Sequence, residues 1–222
     1  MSAPPELMLH PQPLEKDPLI SPRSGKEEAV IRIPVQIVVI SAREKSTAEF
    51  PQDDVFREQI TVLNNAFEPH FQFELNNLTR IVNANWAAGN DWREMKSTLH
   101  QGDQKTLNMY FNDGVAGNPT DSGRSSGPTI LQQQPRQDGC IVAIDTLPRS
   151  SNPKHDLGIV AVHETGHFLG LEHPFNGGCN IGDYVADTPP MAKADHTCNI
   201  NLHSCGDSRP DPVQNIMNYG PE

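Results

Sequence analysis

The stretch His-Glu-Thr-Gly-His-Phe-Leu-Gly-Leu-Glu-His, residues 163–173, puts three imidazoles and two carboxylates into eleven positions. Residues four apart on an α-helix lie on one face, so His163 and His167 can point at the same ion. Glu164, next to the first histidine, projects beside such an ion rather than onto it. A carboxylate in that place can hold a water molecule and take its proton. Zinc suits the set, with imidazole nitrogens at about 2.0–2.1 Å, three protein ligands and one position open for water. Zinc lowers the pKa of that water and polarises a substrate carbonyl.

His173 lies six residues beyond His167, and a continuing helix would carry it about 600° round, to the far side. The helix must therefore stop, and Gly170 is placed to stop it, because glycine tolerates the left-handed conformation that ends a helix. The chain then turns back and delivers His173 as the third ligand. A histidine pair with an adjacent glutamate can occur on a helix and bind nothing; the longer pattern H-E-x-x-H-x-x-G-x-x-H is far rarer by chance. Downstream, Asn-Ile-Met-Asn-Tyr-Gly (215–220) sets Met217 two residues before Tyr219 and 44 after His173 (217 − 173). In isolation Met217 reads as a core methionine. Behind the histidine pattern it completes the metzincin signature, in which a methionine turn lies beneath a three-histidine site.

The chain that must position these groups has 222 residues, enough for one large domain or two lobes around a cleft. Hydrophobic residues make up 36%, and 20 prolines with 16 glycines predict many loops and few long helices. A formal charge of −11 argues against a non-specific nucleic-acid binder. No apolar run approaches the roughly 20 residues that span a bilayer. Residues 1–29 are rich in proline and charge and read as a flexible tail or pro-segment remnant. They lack the basic start and apolar run of a secretory signal. Yet cysteines stand at 140, 179, 198 and 205, three of them within 27 residues. That clustering suggests disulfides in an oxidising compartment. A cysteine zinc site is the other reading, but there is no C-x-x-C pair to support it.

Local patterns predict an α+β chain. Residues 30–40 are β-branched and partly alternating, which predicts a strand; Pro34 within it suggests an edge position or a bulge. Residues 51–67 form an amphipathic helix through Val55, Phe56, Ile60, Leu63 and Phe67. Residues 71–82 read as a strand or hairpin, 92–102 as a short helix ending at Gly102, and 106–112 and 140–145 as strands. The polar stretch between the last two is a loop with a short edge strand near Thr129–Gln132. A helix runs from about Asp156 to Leu169, and after Gly170 the chain is expected to be mainly irregular.

The residues after the histidines narrow the resemblance. Gly-Gly-Cys (177–179), Gly-Asp-Tyr-Val-Ala-Asp-Thr-Pro (182–189) and Asp-Pro-Val-Gln-Asn-Ile-Met-Asn-Tyr (211–219) resemble the pappalysin family of metzincins, in particular its small microbial and fungal extracellular members. A weaker likeness in order and spacing extends upstream to about residue 30. The resemblance implies a two-lobed zinc endopeptidase: a twisted mixed sheet with two main helices (30–170), then an irregular, disulfide-linked lobe (171–222). It implies His163, His167 and His173 as zinc ligands, Glu164 as general base and Met217 as the Met-turn residue. Tyr219 falls where it would stabilise an oxyanion or bind the metal loosely. It also implies a disulfide between Cys179 and Cys205. Cys198 is then left free, paired with Cys140, or paired with a residue outside this chain.

Asp183, Asp187 and Thr188 offer oxygen ligands for calcium, and equally read as caps of turns. The expected partner is a protein or peptide substrate, with no nucleic acid or membrane, and the expected state is an extracellular monomer. Three features depart from the family: the chain runs only three residues past Tyr219, Glu172 stands where an aromatic is common, and Cys140 has no expected counterpart. A protease fold kept only for binding, and a structural zinc protein, are the competing functions. Both leave different marks: the first loses Glu164 or a histidine, the second closes the fourth position with a protein ligand.

Overall fold

The computed structural model describes residues 29–46, 49–113, 115, 121–152, 154–197, 199–206 and 208–220. The expected N-terminal tail lies outside the described residues except for Ala29, as does Cys198. The centre is strand β1 (Ile31–Ser41). Its side chains alternate between two faces, the period of a pleated strand. Ile33, Val35, Ile37 and Val39 enter one apolar core, and Val38 and Ile40 enter a second on the opposite face. A strand buried on both faces belongs inside a parallel sheet covered by helices.

That sheet has five strands in the order β2-β1-β3-β5-β4. Strand β2 (Phe71–Val82), β3 (Leu107–Asn112) and β5 (Cys140–Ala143) join β1 in a parallel set, and β4 (Gly123–Ser125) closes one edge antiparallel to β5. Helix α1 (Asp53–Phe67) buries Phe56, Ile60 and Leu63 in the first core. Ala87 of α2 (Ala84–Ala87) and Met95 of α3 (Trp92–Leu99) cover the other face. Helix α4 (Pro128–Gln133) lies in the connection from β4 to β5, and α5 (Ile159–Phe168) carries the histidine motif.

Several local expectations need correction. Pro34 is not on an edge strand, because β1 sits between β2 and β3. It falls instead before Val35, where pairing with β3 begins, so the chain beside it has a neighbour on one side only. A bulge does occur one step later, between Val35 and Gln36, where Asn76 of β2 is the extra residue. Residues 71–82 are one strand, not a hairpin. The edge strand expected near Thr129–Gln132 is the short α4, because Pro128 at the first turn presets the helical φ; the edge strand is Gly123–Ser125. Helix α3 ends at Leu99 rather than Gly102. Helix α5 starts at Ile159 rather than Asp156, because Gly158 at φ +77° interrupts the chain there.

After Phe168 the only helical turn among the described residues is Gly178–Asn180. Among its described residues this region is held by local bonds and one cross-link. Cys179 and Cys205 form a disulfide with Cα atoms 5.2 Å apart. Cys140 is a free, buried thiol, which removes the Cys140–Cys198 bridge.

Candidate metal centre and active site

Helix α5 is anchored from below. Gln59 of α1 is buried, and its Nε2 donates to the Gly158 carbonyl at 2.9 Å, fixing the point where α5 begins. Ala161, Val162 and Phe168 then pack into the core, leaving His163 and His167 on the opposite, half-exposed face. The C-terminal end is a Schellman turn. The Leu171 N–H donates to the Gly166 carbonyl at 2.9 Å and the Gly170 N–H to the His167 carbonyl at 2.9 Å. Gly170 sits at φ +100°, where a side chain is strained. The turn brings His173 back to the other two histidines.

The three Nε2 atoms form a small triangle: His163–His167 3.1 Å, His163–His173 3.2 Å and His167–His173 3.0 Å. The far nitrogens explain why. His163 Nδ1 lies 2.7 Å from the Ile216 carbonyl and His167 Nδ1 2.8 Å from the Leu171 carbonyl. A carbonyl only accepts, so both Nδ1 atoms carry the proton and both Nε2 atoms present lone pairs. Lone pairs converging at this distance repel unless a cation lies among them. A tetrahedral ion with bonds of about 2.0–2.1 Å holds its nitrogens about 3.3 Å apart, close to the spacing here. Burial pushes His163 down to about 4 and His173 down to about 3, and it also lowers His167, so the imidazoles are neutral near pH 7. Among the described residues this is the one group of three or more histidine, cysteine or carboxylate side chains close enough together to hold one metal ion.

The floor and one wall come from the irregular region. Met217 is buried, and a Cβ on Gly166 would stand 2.5 Å from its Sδ, so the glycine inside the motif is what lets the methionine turn lie against α5. The turn is braced by side chains: the Met217 N–H donates to Asn215 Oδ1 at 2.8 Å, and Asn218 Nδ2 donates to the Val213 carbonyl at 3.4 Å. Asn218 also reaches the Asp195 backbone in both directions, at 3.3 and 3.4 Å. The Tyr219 ring packs 4.8 Å from His173 and 5.8 Å from His163. Burial raises the pKa of its hydroxyl, with Glu164 acting in the same direction.

Glu164 is buried on the sheet side of the histidines. Burial pushes its carboxyl up to about 8, opposed by the positive charges of Lys96 and Arg124. Strand β4 lies directly against it: a Cβ on Gly123 would stand 2.6 Å from Glu164 Cγ. Asp183 is buried and its Oδ1 accepts the Val185 N–H at 3.0 Å, an Asx turn; Asp187 is exposed, and the Thr188 N–H donates to the Val185 carbonyl at 3.2 Å. Glu172 is partly buried and accepts from Asn176 Nδ2 at 3.1 Å.

Three neighbours of the site carry no motif of their own. Phe175 stacks on the His173 ring at 4.7 Å and 10°, and its only sequence signal is its position two residues after the last histidine. The ring of His196 lies 5.9 Å from Tyr219, brought there by the Asn218–Asp195 bonds across 23 residues. Lys96 is fully buried although it looks like an ordinary surface lysine on α3.

Comparison with known proteins agrees with this geometry. The Pregnancy-associated plasma protein-A family, Peptidase M43, matches residues 98–222. Extracellular metalloprotease 1 of Coccidioides posadasii is 34% identical over 200 residues, 86% of this chain and 70% of its own length. An extracellular metalloprotease of Pyricularia oryzae is 36% identical over 196 residues, 86% of this chain and 69% of its own. In fold, the chain resembles mature mirolysin of Tannerella forsythia, solved in complex with a cleaved peptide: TM-score 0.72, 22% identity, 88% of this chain and 86% of that one. The chain therefore belongs to the pappalysin family, Peptidase M43, of zinc metalloproteases.

Proposed function

We propose that the chain is an endopeptidase whose zinc is held by His163, His167 and His173, with Glu164 as the proton carrier. The observation that carries this reading is the convergence of three Nε2 atoms whose partners across the ring, at His163 and His167, are carbonyls. Zinc bound there supplies Lewis acidity, polarising a carbonyl and making water more acidic. Glu164 takes a proton from the attacking water and passes it to the amide nitrogen as the C–N bond breaks. The Tyr219 hydroxyl donates to the oxygen on which negative charge develops. The extended substrate adds to the sheet along β4, the edge strand beside Glu164. In this reading residues 30–170 form one lobe, 171–222 the other, and the cleft runs between them.

The names of the relatives support an extracellular site of action. No described helix is long and apolar enough to cross a membrane. A calcium ion at Asp183, Asp187 and Thr188 would have to share Asp183 with the Val185 N–H; a melting temperature that rises with calcium while zinc is saturating would establish it. The reading as a whole is tested by metal analysis and by digestion of a denatured protein. One zinc per chain and cleavage abolished by a chelator are expected. Cleavage that persists without metal would refute it.

A further inference from the structure

Lys96 is a buried charge to which the reaction above assigns no contact with substrate, although it helps to hold the Glu164 carboxyl down. It sits on α3 with no exposed surface, and its Nζ donates to the Ser126 hydroxyl at 2.9 Å and to the Gly139 carbonyl at 2.6 Å. A buried ammonium is costly, and neither acceptor is a carboxylate. Nor does either acceptor need Lys96. The Gly139 carbonyl also accepts the Ser126 N–H at 3.3 Å, and the Ser126 hydroxyl itself donates to the Gln137 carbonyl at 2.9 Å. The lysine therefore adds a third tie to a junction that is already satisfied.

What the junction joins gives the tie its meaning. Ser126 directly follows β4, and Gly139 directly precedes β5. Strand β4 has only three residues, paired as Gly123–Val142, Arg124–Ile141 and Ser125–Cys140. So short an edge strand is weakly held by its own ladder. Its far end, at Gly123, presses on the Glu164 side chain. His100, the residue that follows α3, grips the same place a second time, where its Nε2 meets buried Asp138 at 3.0 Å. The Cys140 thiol adds a contact on each side, 3.3 Å from Ser125 Oγ and 3.3 Å from the Glu164 carbonyl.

Resting on the peptidase reading, we infer that Lys96 is a positioning residue: its buried ammonium clamps β4 against β5, and through Gly123 this fixes the carboxylate of Glu164 and the strand on which substrate is laid. The clamp acts through backbone placement. A misplacement of about 1 Å at a reacting group costs on the order of 100-fold in rate.

The test is Lys96→Met, which keeps length and removes the ammonium, with Ser126→Ala as a second variant and the two combined. Three things are measured on the zinc-loaded full chain: melting temperature, kcat and KM, and hydrogen exchange of the Ser126 amide. Because both acceptors keep a partner and a buried charge is lost, Lys96→Met is expected to leave the melting temperature unchanged or raise it. The Ser126 amide should exchange about tenfold faster or more, and kcat should fall about 10- to 100-fold. Ser126→Ala should give a smaller loss of the same kind, and the double variant less than the product of the two. Unchanged exchange at Ser126 would overturn the clamp whatever the activity. A fall in activity matching only a loss of folded protein, or multiplicative losses in the double variant, would do so too. If Lys96→Met does not fold, an unchanged kcat and exchange rate in Ser126→Ala overturns it. A wild-type chain that cleaves nothing would sink the peptidase reading, while the exchange result still decides the clamp.

Discussion

The two sides of the candidate metal centre are built by different means. His163, Glu164 and His167 ride on α5, which is packed into a core shared with α1 and the sheet. His173, Met217 and Tyr219 come from a region with almost no regular structure, held by a disulfide, Asx-type turns and the Asn218 bonds to Asp195. On the first side position comes from burial, which is non-directional and spread over many residues. On the second it comes from a few directional bonds and one covalent link. A fault on the first side should unfold the domain, whereas a fault on the second should move a ligand or a wall and leave the sheet intact.

Replacing His167 is expected to give the largest effect, because only two protein ligands remain: Gln at this position should leave less than stoichiometric zinc and no measurable cleavage. Retention of one zinc per chain would place the metal elsewhere. Next comes the cross-link. Its residues are 26 apart, which the chain-entropy model values at roughly 3 kcal/mol. Replacing Cys179 and Cys205 with serine should speed hydrogen exchange after Gly170 while β1 and β3 stay protected. Equal loosening of both regions would erase the contrast.

Gly166→Ala probes the contact between the two sides. Its Cβ would meet Met217 Sδ at 2.5 Å, and overpacking of this kind costs about 1–3 kcal/mol. The methionine end can shift, so a lowered melting temperature with the sheet's exchange pattern preserved is expected. No change in melting temperature would mean that the turn is not held against α5. The smallest effect is expected from Tyr219→Phe. With a ring already packed on His173, the loss of the hydroxyl should lower kcat about tenfold and leave KM unchanged. A KM effect without a kcat effect would make Tyr219 a substrate-packing residue.

This contrast also explains what could be read from the sequence. Strand β1 and helix α1 advertise themselves through apolar periodicity, whereas β3, β5 and α5 show as short apolar runs, because the chain around them covers more than one face. The histidine triangle is legible from spacing, since two of its members lie four apart on a helix and a glycine marks the turn to the third. Strand β4 was not legible. Gly-Arg-Ser has no strand propensity and is extended only because β5 offers it a partner. The bonds that fix Met217 and Asn218 have no period, and the disulfide came from family likeness, as four cysteines admit three pairings. Burial of Lys96 follows from where α3 lands on the β4–β5 junction, a fact of tertiary placement to which its local sequence holds no clue.

In the proposed reaction three histidines hold the metal while Glu164 only moves a proton, and Glu164→Gln separates these tasks in one sample. Zinc content and the rate of peptide cleavage are measured together on the variant and the wild type. One zinc per chain is expected in both, with cleavage by the variant lower by about 100- to 10,000-fold. Cleavage at the wild-type rate with zinc bound would contradict the role of Glu164, and loss of zinc from the variant would contradict its separation from the ligands.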